Sequence, residues 1–361
     1  MFCKIAILTN SYPPRDVGGA ARIAATQVKM LQEAGHEVRV WSPEVPWFRA
    51  HPIKRLWCHL RDLAPESKVV SDIIAWRPDI LLTHNLTGCG FGTPRHIQKR
   101  GVRWIHMLHD IQLFEPSGRL FWLHPVTFWQ VFWAFLRGCV FGNPDVVISP
   151  TRWLVKQHRR RSLLKSSSVH CEILPNPGPR DAGQSRRAFH ESRVRLLFVG
   201  QVSRAKGSHL LQELTRTLRI PFELHIVGTG SDLAALVACS PYVVVHGVCG
   251  TNEVLAHMSA ADILLVPSLI HENQPTVILE AASVALPVIA SHCGGIIETL
   301  GAAAAHMVCA PDNVQAWCQA IQRLEDPHVY AHQAHLMRRV AEHHDPDAYA
   351  QRLLSLVISK R

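Results

Sequence analysis

DILLVPSLIHENQPTVILEAASVALPVIAS, residues 262–291, falls into three pieces. DILLV (262–266) is an apolar, β-rich run of strand length that empties into a loop. PTVILEAASVAL (275–286) reads as a helix, with Pro275 at the first helical position, where a missing N–H costs nothing, and Pro287 just past the end. PVIAS (287–291) is a second short apolar run. Strand, helix and strand within thirty residues, with strands too apolar to leave one side in water, predict a βαβ unit and a parallel sheet.

The pattern repeats along the chain. KIAIL (4–8), EVRVW (37–41), DILLT (79–83), RWIHML (103–108), DVVIS (145–149), RLLFV (195–199), FELHIV (222–227) and YVVVH (242–246) alternate with helical periodicity, as an α/β architecture requires. LPNPGPRDAGQSRRAFHES (174–192) breaks the series, being rich in Pro, Gly, Ser and charge. A chain of 361 residues is long for one core, so two domains are expected on either side of that break. The expected division is a first domain over 1–175, a linker over 176–194, a second domain over 195–345, and a terminal helix over 346–361 packing back on the first domain.

Composition narrows the class. With 47% hydrophobic and 18% charged residues the chain is a folded protein, not a disordered one. Ten cysteines occur without a C-x-x-C pair, and MFCKIAILTN has neither a signal-peptide nor a myristoylation pattern; reduced thiols and a cytoplasmic location are expected. Residues 1–180 hold 24 Lys and Arg against 12 Asp and Glu, a balance of +12, while the rest of the chain carries −2. Such asymmetry fits either a surface facing an anionic membrane or a merely solvated face.

Two segments of the first half bear on this. PWFRAHPIKRLWCHLRDL (46–63) interleaves Trp47, Phe48, Leu56, Trp57 and Leu60 with Arg49, Lys54, Arg55 and Arg61, the pattern of a basic amphipathic helix. RLFWLHPVTFWQVFWAFLRG (119–138) gathers four Phe and three Trp, interrupted by His124, Pro125 and Gln130. It falls short of the ~20 apolar residues of a spanning helix and reads as interfacial or buried. Peripheral attachment to the inner face of a membrane is therefore expected. No nucleic-acid-binding motif accompanies the charge, which speaks against a basic nucleic-acid-binding protein.

Glu272 lies in the loop at the carboxyl end of a strand and Glu280 just over a turn inside the helix. Open α/β sheets bind ligands at that end, and free N–H groups at a helix start hold phosphate; Asn273, Gln274, Thr276 and Val277 have such groups to offer, Pro275 none. A carboxylate beside a phosphate accepts hydrogen bonds from hydroxyls or stabilises a developing positive charge. Sugar nucleotides present both needs: Glu272 is expected at the hexose and Glu280 at the ribose diol. The plainer reading is an N-terminal acid favouring the helix dipole plus an exposed helix glutamate.

Glu272 and Glu280, with seven residues between them, followed by AASVALPVIASHCGG, resemble the marker of family 4 glycosyltransferases. Ala285 stands where that family usually has Gly. The resemblance extends over nearly the whole chain and implies an α/β GT-B fold, two doubly wound Rossmann-like domains with parallel sheets facing a central cleft. Gly18 and Gly19 match the family's glycine pair, which opens a helix beneath the donor phosphates. His109, in MLHD (107–110), matches a strand-end histidine near the donor sugar. Lys206, in LFVGQVSRAKGSHLLQEL (197–214), matches the lysine that contacts the diphosphate. The family commonly has Arg directly after the strand glycine, but Gln201 follows Gly200, so Arg204 is expected to reach the phosphate from a shifted position. Val248, after the HGV strand end, matches a position near the nucleobase.

The resemblance implies a retaining, metal-independent hexosyl transfer from a nucleotide diphosphate sugar to a saccharide or lipid-linked acceptor hydroxyl, as in the making of a cell-surface polysaccharide precursor, with no cofactor. Glu272, His109 and Lys206 would be the catalytic group. Competing expectations are an epimerase or phosphorylase of the same fold and a non-catalytic sugar-binding protein.

Overall fold

A computed structural model describes residues 2–15, 18–43, 51–123, 125–164, 169–180 and 193–358. Residues 46–50 of the basic 46–63 stretch, and 181–192 of the expected linker, lie outside them. The chain divides into two compact units: residues 1–120, 124–176 and 347–361, and residues 121–123 and 177–346.

The first unit begins with β1 (Lys4–Leu8), α1 (Gly19–Glu33), β2 (Glu37–Trp41), α2 (Pro52–Arg61), α3 (Ser67–Trp76) and β3 (Ile80–Thr83). It continues through α4 (Thr93–Gln98), β4 (Arg103–Met107), α5 (Phe128–Phe141), β5 (Val146–Ser149), α6 (Arg152–Arg159) and β6 (His170–Ile173). Its six strands are parallel, in the order β2-β1-β3-β4-β5-β6. The second unit comprises β7 (Val194–Val199), α7 (Ser208–Thr217), β8 (Phe222–Val227), α8 (Leu233–Cys239), β9 (Val243–Gly247), α9 (Thr251–Ala260) and β10 (Ile263–Val266). α10 (Thr276–Ser283), β11 (Val288–Ser291), α11 (Ile296–Leu300), β12 (Val308–Cys309), α12 (Val314–Arg323) and α13 (Pro327–His343) complete it. The order of this parallel sheet is β12-β11-β10-β7-β8-β9.

All ten expected strands are present to within a residue or so at each end; β6 and β12 were not expected. Both are edge strands: HCEI (170–173) lacks an apolar run and β12 has only two residues. Each sheet is covered on both sides, which is why β1, β3, β5, β10 and β11 are almost wholly apolar. One side of the first sheet packs Ala6, Leu81 and Trp104, and the other packs Ile5, Ile7, Leu82 and Ile105.

α14 (Pro346–Ile358) carries Tyr349, Leu353 and Val357 at i, i+4 and i+8, one stripe of a helix. These three are at most 3% exposed and join the core of the first unit beside Ile5 and Ile7. Gln27 Nε2 donates to Tyr349 Oη at 2.5 Å, and Arg103 donates to the carbonyls of Leu356 and Val357 at 3.0 and 2.7 Å. At about 1.5–3 kcal/mol per buried large apolar side chain, the helix is a substantial part of the first unit's stability.

The helix expected over 275–286 is shorter. It spans Thr276–Ser283, with Pro275 as its extended N-cap (ψ 118°) instead of its first residue. It ends early because Ala285 turns left-handed at φ +55°. Leu286 N–H then donates to the Ala281 carbonyl and Ala285 N–H to that of Ala282, both at 2.9 Å, a helix close that normally uses Gly.

Candidate functional site

In the second sheet the strand order reverses between β7 and β10, and open parallel sheets bind ligands at the carboxyl ends of the strands flanking such a reversal. The loops there interlock through positions that have no room for a side chain. A Cβ on Gly207 would lie 1.9 Å from the Pro267 carbonyl oxygen, and one on Gly294 1.9 Å from that of Glu272. Gly207 (φ +86°) and Gly294 (φ +70°) also occupy backbone conformations other residues avoid. The loops after β7, β10 and β11 therefore close on one another as a fixed unit.

Two of the expected residues meet across the reversal. Lys206 Nζ donates to Glu272 Oε1, and Ser268 Oγ donates to the same oxygen at 2.9 Å. The side chains of Glu272 and Lys206 are 16% and 34% exposed, so the pair is reachable by a ligand. The Glu272 backbone is held as well, its carbonyl accepting from Gly295 N–H at 2.8 Å. Just beyond, Ile278 N–H bonds the Pro275 carbonyl at 3.1 Å, whereas no acceptor among the described residues takes the N–H of Thr276 or Val277. Two open amides, a lysine and a fixed carboxylate form a mixed site that suits an anionic group bonded to a hydroxyl-rich one.

The other expected residues of this unit are spread around it. Arg204 is exposed on the single 3₁₀ turn that ends at Lys206. That turn is tied to Asp232, whose carboxylate accepts from Ser208 Oγ at 2.5 Å and Ser231 Oγ at 2.7 Å. These hydrogen bonds, with a further one from the Arg204 backbone, hold Asp232 below the usual carboxylate range. Gln201 is exposed. Asn273 is half-buried and Gln274 buried; Glu280 faces the interior at 6% exposure. Val248 follows β9 at the far edge of the sheet and is 80% exposed.

The first unit holds the remaining three. Gly18 caps α1 and Gly19 is its first residue. At φ −63° and ψ 167° the Gly18 backbone is open to any residue, so its conformation does not require glycine. His109 follows β4 and is half-buried; its Nε2 lies 2.7 Å from Nδ1 of the fully buried His84, with the rings 5.0 Å apart and 7° from parallel. Burial pushes His109 down to about 4 and His84 well below its ordinary value, so both are neutral at neutral pH and share one N–H. Next to them Asp110 accepts from Asn85 Nδ2 at 2.6 Å and is pushed up to about 6 by burial.

Ser268, Asp232 and Gly294, around the Lys206–Glu272 pair, and His84, beside His109 in the first unit, went unnoticed in the sequence. The one available signal was His84-Asn85 directly after the strand DILLT, placed as His109-Asp110 is placed after RWIHML.

Two doubly wound units of six parallel strands each, the second with a site at a strand-order reversal, make up a fold of the GT-B type, and comparison with known proteins gives the class. Residues 17–177 match the model described as Glycosyltransferase Family 4, and residues 193–326 match that described as Glycosyl transferases group 1. The chain is a glycosyltransferase assembled from these two domains. It is 23% identical over 369 residues to the "Putative teichuronic acid biosynthesis glycosyltransferase TuaC" of Bacillus subtilis (strain 168), covering 91% of this chain and 90% of that one. The fold is shared with Anabaena Alr3699/HepE, solved in complex with UDP-glucose (TM-score 0.70, 15% identity, 98% of this chain and 99% of that one). It is also shared with a sucrose-phosphate synthase from Thermosynechococcus elongatus (TM-score 0.77, 19% identity, 98% of each chain).

Proposed function

We propose that the protein transfers a hexosyl unit from a nucleoside diphosphate sugar to an acceptor hydroxyl with retention at the anomeric carbon. The observation that carries this reading is the Lys206–Glu272 pair beside the open amides of Thr276 and Val277. In the reaction, charge accumulates on the departing diphosphate. Lys206, Arg204 and the two amides supply positive charge without a metal, and Glu272 takes hydroxyls of the hexose and stabilises its oxocarbenium character. The leaving phosphate oxygen removes the acceptor proton on the face it departs from, so no nucleophilic carboxylate is needed. Asn273 and Gln274 line the phosphate loop, Glu280 serves the ribose diol, and Val248 meets the base. Gly18 and Gly19 admit the phosphates, and neutral His109 accepts or donates one hydrogen bond at the donor sugar.

A saccharide or lipid-linked acceptor is proposed for the first unit. TuaC is named for teichuronic acid biosynthesis, and the +12 balance of residues 1–180 suits work at an anionic membrane surface. Among the described residues no helix is long and apolar enough to cross a membrane, so attachment would be peripheral. The test is product analysis with anomerically labelled UDP-, GDP- and ADP-hexoses in the presence of chelator. A new glycosidic bond of the donor's configuration supports the reading. A rearranged or phosphorolysed sugar would indicate an epimerase or phosphorylase, and an inverted product would refute the proposed proton route.

A further inference from the structure

α5 is apolar on both sides. Its buried side carries Trp133, Ala134 and Phe141 together with Arg137 (0% exposed) and Gln130, while Phe128 (82%), Phe135 (67%), Trp129 and Val131 face solvent. The orientation is fixed by polar partners: Arg137 donates to the Gln112 carbonyl and lies 4.5 and 4.9 Å from the rings of Phe91 and Trp133. Gln130 joins Arg161 at 2.8 Å to Glu115 at 3.2 Å. Rotating the helix to hide its aromatics would break all of these, and an unpaired buried guanidinium is costly. The neighbouring α2, whose His59 ring packs edge-on to Trp133, likewise turns Ile53, Leu56, Trp57 and Leu60 outward. At ~150–250 Å² per aromatic side chain, the four exposed rings alone present on the order of 500 Å², more than scattered surface residues of a monomer usually do.

Along the outward side of α5 runs a groove of about 470 Å³, a size that admits a small ligand. Its floor is Val131, Ala134, Phe135 and Gly138 on one helical stripe, and its far wall is Leu163 and Leu164 from the turn after α6. Gly138 lets Leu163 pack close against the helix, since a Cβ there would come 3.1 Å from Leu163 Cδ2. The wall is itself strained, with Ser162 at φ +61° and Leu164 at φ +52°, a conformation that residues other than glycine rarely adopt. Arg160 stands at the groove, exposed, and its guanidinium meets no carboxylate among the described residues. Arg152, Lys156 and Arg159 of α6 are exposed nearby in sequence.

We propose that this groove binds one hydrocarbon chain of an anionic membrane lipid, with Arg160 meeting the lipid phosphate. A trough with an apolar floor of Val131, Ala134 and Phe135, shared with the exposed aromatic side of α5, matches a chain drawn from a bilayer, and its polar part, with Asn143, Ser162 and Arg160, matches an anionic head. A symmetric contact with the same groove of a second copy is a poor alternative, because it would bring two first units of like charge together. The proposal needs no donor sugar and stands apart from the reading of Glu272.

Cys139 is exposed and lines the groove, which makes it a built-in reporter. Its alkylation by N-ethylmaleimide, followed by peptide-resolved mass spectrometry on the full chain, should slow at least fivefold with lysophosphatidylglycerol below its micellar concentration. Cys239, in the second unit, should react unchanged, and glycerophosphoglycerol, the headgroup without a chain, should give no protection. Gly138→Leu fills the groove and should abolish protection. Arg160→Glu, a surface change that leaves folding intact, should raise the lipid concentration needed at least tenfold. Glu272→Gln should leave protection as it is, so that failure here and failure of the transferase reading are separable. Unchanged Cys139 reactivity, equal slowing at Cys239, or protection by the headgroup alone would overturn the proposal.

Discussion

Replacing Glu272 by Gln keeps the shape of the loop and removes one charge, and the structure predicts opposite effects on binding and turnover. Without ligand, Lys206 is held by Glu272, so a diphosphate must draw the ammonium away from the carboxylate. Charge-assisted hydrogen bonds contribute about 1.5–3 kcal/mol and exposed ion pairs 0.2–1. With side chains 34% and 16% exposed, the pair is placed toward the lower range, near 1 kcal/mol after screening. Glu272→Gln should therefore tighten binding of the nucleoside diphosphate, UDP being the first to try, by up to about fivefold. Turnover should fall by about 10²–10³, the loss typical when a group stabilising transition-state charge is removed. Calorimetric titration with UDP, alongside kcat for the matching sugar nucleotide, measures both. If UDP affinity drops tenfold together with turnover, Lys206 and Glu272 act as one binding element and the competition argument is wrong. Undiminished turnover would remove Glu272 from the chemistry.

Gly294→Ala should place a methyl 1.9 Å from the Glu272 carbonyl; the loop has to shift, and activity should fall at least 100-fold in a protein whose circular dichroism is unchanged. Ala285→Gly relieves a left-handed alanine (φ +55°) but adds freedom to the unfolded chain; the net gain should be about 0.5 kcal/mol, read as a rise of 1–2 °C in Tm by about 2–4 °C per kcal/mol, and a loss above about 1 kcal/mol would refute the strain argument. In the first unit burial depresses His59, His84, His106, His109 and His158 and raises Asp62 and Asp110 to about 6. Between pH 6.5 and 4 the unfolded chain takes up protons at the five histidines, while the folded one takes them up at two carboxyls. Stability should therefore fall as pH drops through that window, and urea midpoints that rise from pH 6.5 to 5 would contradict it.

What was legible in the sequence was the part set by short-range pattern. Buried parallel strands announce themselves as apolar runs, so ten of twelve were visible; HCEI and VC were not, because edge strands need neither length nor apolarity. Pro275 reads equally well as a first helical residue or a cap, and only the backbone tells which. Ala285 was visible as a departure from the family's glycine, but the left-handed turn that makes glycine preferable there was not. The pairing of Lys206 with Glu272 spans 66 positions and follows from the strand-order reversal, which no local periodicity encodes. The outward aromatics of α5 also defeat the usual rule that apolar residues point inward, since Arg137 and its partners decide which side is buried.

α14 has a bearing on how the enzyme is made. Ile5 and Ile7 are translated well before the side chains that cover them, Tyr349, Leu353 and Val357, which are synthesised some 340 residues later. On the ribosome the core of the first unit must wait with an oily flank uncovered until Val357 has left the exit tunnel, and the second unit, whose own strands are contiguous, can finish before it. Nascent chains stalled short of that point should be clients of chaperones that shield apolar surface.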